Sequence, residues 1–151
     1  NLITQNIDNL HFRAGSKNVT ELHGNIERNF CIKCRTFIDE VDVKEKKVLK
    51  CANCGGLVRP DVVWFGEMLP RKALEFAEER AANSDVFLSI GTSAEVYPAA
   101  MLPIIAKRSG AYTAEINPHP TAITSEMDEL IAGKSGEILA ELVSRLKEEM
   151  K

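Results

Sequence analysis

The sequence predicts an α/β fold with a parallel sheet and a small metal-binding module set into it. Three observations carry this. Three short apolar runs, Leu2 to Thr4, Val86 to Ile90 and Tyr112 to Ile116, each end in a polar or Gly-containing turn. Segments with helical apolar spacing lie between or after them. Four cysteines, at positions 31, 34, 51 and 54, form two C-x-x-C pairs separated by 16 residues.

The chain of 151 residues is 44% hydrophobic, enough for a real core and too apolar for wholesale disorder. Its net charge of -3 argues against strong electrostatic binding to nucleic acid or to anionic membrane. No apolar run reaches the roughly 18 residues that suggest a membrane span. The expected partners therefore include neither a membrane nor directly bound nucleic acid.

The first run, "LIT", reads as a buried strand, and the polar "QNID" that follows sits where a parallel sheet places its ligands, beyond the strand's carboxyl end. An ordinary polar turn, with Asp8 capping a helix, is the simpler alternative. Pro70 to Asn83 reads as an amphipathic helix with Leu74, Phe76, Ala77 and Ala81 on its apolar side. It leads into the second run, whose turn is "GTS". "EVYPAAMLPIIAKRSG" has helical spacing at Val96, Ala99, Ala100, Ile104 and Ile105; Pro103 should kink that helix or delay its start, and Gly110 should stop it. The third run ends in "NPHP", and Glu137 to Met150 reads as a final helix with Ile138, Leu139, Leu142, Val143 and Leu146 inward. Strand alternating with helix implies right-handed crossovers and parallel pairing.

Residues 28–59 interrupt that alternation. Two thiolates in a C-x-x-C turn can grip one metal ion, and two such turns complete a tetrahedral all-cysteine site. Disulfides or a redox C-x-x-C are the alternatives. The paired spacing favours zinc on Cys31, Cys34, Cys51 and Cys54, structural because no coordination position stays open. Such a site implies a reducing, cytoplasmic setting. The charged alternation "EVDVKEKKVLK" between the pairs reads as an exposed hairpin, giving a module of two or three strands. The organisation is then residues 1–27, first part of the α/β domain; 28–59, zinc module; 60–151, remainder of the domain with the "RPDVVWFGE" strand.

In order, "TQNIDNLHFRAG", "ELHGNIERNFC", the two C-x-x-C pairs, "RPDVVWFGE", "GTSAEVYPAA" and "EINP" together resemble the sirtuins, the NAD-dependent protein deacylases. The resemblance covers essentially the whole chain. It implies a Rossmann-like parallel sheet that is incomplete at its N-terminal side. Sirtuins carry an earlier Gly-rich βα turn and a "GIPDFR"-type loop, which nothing here matches. The resemblance thus implies a parent longer by roughly a hundred residues and a sheet with an exposed apolar edge.

The resemblance makes His23 the general base. In the family the acyl-lysine oxygen attacks the anomeric carbon of the nicotinamide ribose, nicotinamide leaves, and the His helps deprotonate a ribose hydroxyl. A histidine before a glycine is, by itself, more often structural. Gln5, Asn6, Ile7 and Asp8 match the nicotinamide and ribose contacts, with Asn6 orienting the reacting ribose. Gly91, Thr92 and Ser93 match a phosphate and ribose turn, where small residues and a helix N-terminus would suit anions. Asn117 matches an adenosine ribose contact and Ser135 a late adenine contact. "RPDVVWFGE" is similar to the substrate strand: Val63, Phe65, Gly66 and Glu67 would pair with an extended peptide by strand addition, and Val96 is a further substrate-side contact. A plain core strand is the alternative. His11 and His119 match no catalytic position.

The implied function is NAD-dependent removal of acyl groups, acetyl by default, from protein lysines. "HFRAGSKNV" leans toward the branch that includes removers of acidic acyl groups. A zinc-ribbon binding module on an α/β scaffold and protein ADP-ribosyl transfer are the competing readings.

Overall fold

A computed structural model describes residues 1–38 and 48–151. The chain divides into two compact units, Asn1–Leu74 and Glu75–Lys151.

In the first unit, β1 (Leu2–Thr4) and β2 (Val19–Glu21) form a parallel pair, in register from Leu2 opposite Val19 to Thr4 opposite Glu21. Their connection carries a single helical turn, α1 (Leu10–Arg13). A three-stranded antiparallel sheet follows, in the order β4–β3–β5, built from β3 (Gly24–Cys31), β4 (Phe37–Ile38) and β5 (Val58–Val62). Its β3–β5 register shifts between Asn25 and Asn29, so Pro60 falls at an irregularity on an edge strand, where a missing N–H costs least. Among the described residues of this unit, Leu22, Phe30, Cys31 and Cys51 are the buried apolar ones. A sheet of three strands lies where the sequence predicts a module of two or three, but it runs from Gly24 to Val62, past both ends of residues 28–59. Most of the predicted "EVDVKEKKVLK" hairpin, residues 40–47, lies outside the described residues; beyond it Lys50 bridges Leu57.

Helix α2 (Arg71–Ala82) crosses the unit boundary and buries Ala77 and Ala81. The second unit is a parallel sheet of order β6–β7–β8, from β6 (Val86–Ile90), β7 (Tyr112–Asn117) and β8 (Glu129–Ala132). Central β7 buries four consecutive residues, Thr113 to Ile116, as a doubly covered parallel strand does. The predicted helix between the second and third apolar runs starts late: a 3-10 turn, Ala99–Met101, runs into α3 (Leu102–Arg108), with Pro103 in its first turn, where a missing N–H is harmless. Helix α3 packs on β6 and β7, and small Ala99, Ala100, Ala106 and Ala114 let the layers approach. The last helix, α4, spans Ser135–Glu149 and packs on β7. Edge strand β6 leaves Val86, Leu88 and Ile90 exposed along one face. No helix among the described residues is long and apolar enough to cross a membrane.

Candidate active site and metal centre

The four cysteines converge. Cys31 ends β3, and its turn closes by Arg35 N donating to Cys31 O at 2.9 Å. The second pair repeats this geometry, with Gly55 N donating to Cys51 O at 2.8 Å. The residue after each pair is left-handed, Arg35 at φ 62° and Gly55 at φ 68°. All four Sγ atoms lie within 4.8 Å of one another, with Cys31–Cys54 at 3.4 Å and Cys34–Cys51 at 3.7 Å. A zinc ion with four Zn–S bonds of 2.3 Å requires sulfurs about 3.8 Å apart, so the cluster fits tetrahedral zinc and uses all four donors. None of the four is in a disulfide. The Thr36 hydroxyl and N–H hold the Cys34 thiol down to about 6. Gly56 sits against the sulfurs: a Cβ there would meet Lys33 Cβ at 2.7 Å and Cys31 Sγ at 2.9 Å.

Parallel pairing of β1 and β2 brings two predicted segments together. Leu22 N donates to Thr4 O at 2.9 Å, and one residue on, His23 Nδ1 lies 3.0 Å from the Gln5 carbonyl oxygen. A carbonyl only accepts, so Nδ1 carries a proton, and in the neutral ring it is Nε2 that offers the lone pair. His23 O accepts from Val63 N at 2.9 Å. Gly24, at φ 79°, lies so close to β5 that a Cβ would stand 2.0 Å from Asp61 O. The "QNID" loop is pinned by Asn6 N donating to Thr4 Oγ1 and by Ile26 N donating to Ile7 O. Asp8 Oδ1 accepts from Leu10 N at 3.0 Å, at the head of α1. A shallow depression lined by Thr4, Asn6, Asp8, His11, Val19 and Glu21 adjoins them.

Sequence reasoning missed the polar network beneath this loop. Buried Asn25 donates to Asn9 Oδ1 at 3.0 Å and to Glu21 Oε1 at 2.7 Å, and Arg28 bridges Glu21 and Asp61. The signal was present in "ELHGNIER", where polar residues flank His23 and continue into a strand.

The "RPDVVWFGE" run departs from the continuous strand predicted for it. It is a strand only through Val62. Val63 is bonded to His23, and Trp64 to Glu67 form a turn, closed by Glu67 N donating to Trp64 O at 2.9 Å. Gly66 is left-handed at φ 88°, and Glu67 Oε2 takes the Trp64 N–H, which ends the ladder. Phe65 is 99% exposed at the tip. Arg59 and then Trp64 N–H hold the Glu67 carboxyl down to about 2.

In the second unit, the ends of the parallel strands carry the other predicted residues. Gly91, at φ 61°, donates its N–H to Ile116 O at 3.0 Å. Asn117 Nδ2 donates to Thr92 O at 2.8 Å, and Thr92 Oγ1 accepts from Ala94 N at 3.2 Å. Gly91, Thr92 and Asn117 are thus brought together, with exposed Ser93 next in the turn. Gly133 N donates to Asn117 O at 3.1 Å, and Ser135 opens α4 two residues later. The turn does not lead straight into a helix, as expected for anion binding; left-handed Ala94 breaks the chain and the first helical turn waits until Ala99. Val96 lies in that loop and accepts from Ala100 N. Below the rim, Glu115 is fully buried. It accepts from Thr121 Oγ1 at 2.6 Å, from the Thr124 hydroxyl, and from Asn117 Nδ2 at 3.4 Å.

The family model described as Sir2 family matches residues 1–98. NAD-dependent protein deacylase 2 of Pyrobaculum aerophilum is 52% identical over 151 residues, covering 99% of this chain and 60% of that protein. Among solved structures, a Sir2 homolog–NAD complex matches with a TM-score of 0.93 at 44% identity, over 99% of this chain and 59% of the other. Sir2Tm bound to a propionylated peptide matches with a TM-score of 0.88 at 38% identity, over 95% of this chain and 62% of the other. The chain spans about 60% of the length of the curated relatives it matches. Its α/β fold, parallel strands and four-cysteine cluster agree with these similarities, and the chain belongs to the Sir2 family.

Proposed function

We propose that this chain is the zinc-bearing portion of an NAD-dependent protein lysine deacylase. The observation that carries the reading is the His23–Gln5 contact, which leaves Nε2 as an acceptor beside the "QNID" loop. The names and ligands of the relatives support it: a deacylase, an NAD complex and a propionylated-peptide complex.

In this reading His23 takes a ribose hydroxyl proton at Nε2, and its Nδ1–H keeps the ring oriented on Gln5 O. Gln5, Asn6, Ile7 and Asp8 hold the nicotinamide and its ribose, with Asn6 orienting the reacting sugar. Gly91, Thr92 and Ser93 approach phosphate and ribose, and Asn117 and Ser135 serve the adenosine end. NAD supplies the electrophilic anomeric carbon that receives the acyl oxygen. Val63, Phe65, Gly66, Glu67 and Val96 take the acyl-lysine peptide. Cys31, Cys34, Cys51 and Cys54 hold a structural zinc with no part in proton transfer. A cytoplasmic setting suits four reduced thiols, and a net charge of -3 gives no footing for nucleic acid or membrane.

The test is nicotinamide release from NAD by the zinc-loaded protein with an acetyl-lysine peptide. The expected result is multiple-turnover release that requires the peptide and falls to no more than about one equivalent per protein in His23→Ala, because nicotinamide leaves before the His23 step, with zinc content unchanged. Transfer of ADP-ribose to protein without deacylation would favour the transferase reading. Zinc binding without any NAD binding would favour a binding module.

A further inference from the structure

We propose that Arg59 is a positioning residue for the peptide subsite, acting through Glu67 to fix the turn that carries Phe65. The proposal rests on the deacylase reading and adds a residue to it.

Arg59 lies on edge strand β5, opposite Phe30 of β3. Its guanidinium is 5.9 Å from the Phe30 ring centre and 5.7 Å from that of Trp64. Nη1 donates to Glu67 Oε1 at 2.5 Å and Nη2 to Glu67 Oε2 at 3.0 Å. Nη2 also donates to Val62 O at 2.7 Å, the last residue of the strand. This two-pronged fork is the strong form of an ion pair and fixes direction as well as distance. Nε is buried and makes no hydrogen bond among the described residues. The side chain has therefore accepted a solvation cost to reach this position, and ring faces on two sides compensate in part.

Glu67 has no carboxylate oxygen outside this arrangement. Oε1 faces Arg59, and Oε2 receives both Arg59 and the Trp64 N–H. With the backbone bond from Glu67 N to Trp64 O, the turn is held at both ends and across its middle. What it holds is an apolar ring in solvent. Phe65 is 99% exposed and contributes nothing to a core, so fixing it does not serve burial. A backbone turn already fixed lowers the ordering cost when an apolar ligand stem docks against the ring it carries. Lysine would keep the charge of Arg59 but not the fork, so the geometry asks for arginine.

The test is kinetic and optical, on the zinc-loaded protein, with Arg59→Met, Arg59→Lys and the isosteric Glu67→Gln. Peptide is varied at saturating NAD, and NAD at saturating peptide. Arg59→Met and Glu67→Gln should raise the peptide KM by about five- to tenfold, with kcat and the NAD KM within about twofold, and Arg59→Lys should recover part of the loss. Trp64 is the single tryptophan, so acrylamide quenching of its emission reports the turn directly and should rise in the same variants. An active parent whose Arg59→Met variant keeps its peptide KM overturns the proposal alone. So does an equal rise in both KM values, which would mean a general effect on the fold. A parent that releases no nicotinamide overturns the reading of this chain by itself as a working deacylase; the quenching series then decides, and emission quenched equally in the parent, Arg59→Met and Glu67→Gln overturns the proposal.

Discussion

Gly24→Ala is the sharpest test of how the His23 region is built. At φ 79° an L-residue loses about 1–2 kcal/mol relative to glycine. The new Cβ would stand 2.0 Å from Asp61 O and 2.9 Å from Asp61 C, both backbone atoms. A normal carbon–oxygen contact is about 3.3 Å, so β5 would have to retreat by about 1.3 Å. No rotamer change can supply that. Overpacking of this kind costs about 1–3 kcal/mol, and the two effects together reach about 2–5 kcal/mol, or roughly 4–20 °C of melting temperature for a chain of this size. The retreat also pulls on Val63 N, which bonds His23 O, so the imidazole leaves its place beside Gln5. In the proposed deacylase reading His23 is the catalytic base, and a 1 Å displacement of such a group costs about a hundredfold in rate. The assays are calorimetry and nicotinamide release well below the melting temperature. A variant that melts within about 2 °C of the parent, with unchanged turnover, would refute the argument that the close approach of Gly24 to β5 sets His23.

Three further outcomes follow from the same geometry. Removing metal with a chelator should abolish slow amide exchange in β3, β4 and β5, because the cysteines tie their ends together; protection that survives complete zinc removal would refute a structural role. Gly56→Ala puts a methyl 2.9 Å from Cys31 Sγ and 3.3 Å from Cys54 Sγ, and should weaken zinc binding by about 10–100-fold in competition with a chromophoric chelator; unchanged affinity would mean that the turn yields freely. Asp128 is held down to about 2 by Lys107, Thr113 N–H and the Thr113 hydroxyl. Its folded value lies below that of an unfolded aspartate, so its stabilisation is complete above about pH 4 and disappears as pH falls toward 2. Asp128→Asn should therefore lower stability at pH 7 and flatten the acid limb of urea unfolding between those values; parallel pH profiles would refute it.

Much of the site was legible because it lies where local pattern and chemistry agree. "LIT", "VFLSI" and "YTAEI" are short runs rich in apolar residues that end in polar turns, so their ends could be named from sequence alone. The cysteine spacing is a chemical signature independent of fold. Other elements were hidden for physical reasons. Strand β8, "ELIA", starts with a charge, is four residues long and is bounded by Asp128 and Gly133, so neither length nor period marks it. Strand β2, "VTE", exists because β1 supplies its hydrogen bonds. "RPDVVWFGE" has a strand's composition throughout, yet it turns after Val62 because a side chain eight residues from Arg59, Glu67, captures the backbone of Trp64. Residues distant in sequence likewise set the Asn9–Asn25–Glu21 network, which periodicity cannot report.

The polar face of β7 has a consequence for how the sheet assembles. Thr113, Glu115 and Asn117 alternate along the central strand and so share one face. Each is met by a different loop: Asp128 for Thr113, Thr121 and Thr124 for Glu115, and Thr92 for Asn117. Parallel strands of mostly apolar residues can slide past one another with little change in backbone bonding. A slide of one residue here would turn Ala114 and Ile116 toward those hydroxyls and carry Glu115 to the other face, without them. A buried polar group stripped of its partners costs at least about 2 kcal/mol, and this file of three would lose its partners together. The costliest residues in the strand thus act as the teeth of a key, admitting one alignment of β7 between its neighbours and rejecting the next.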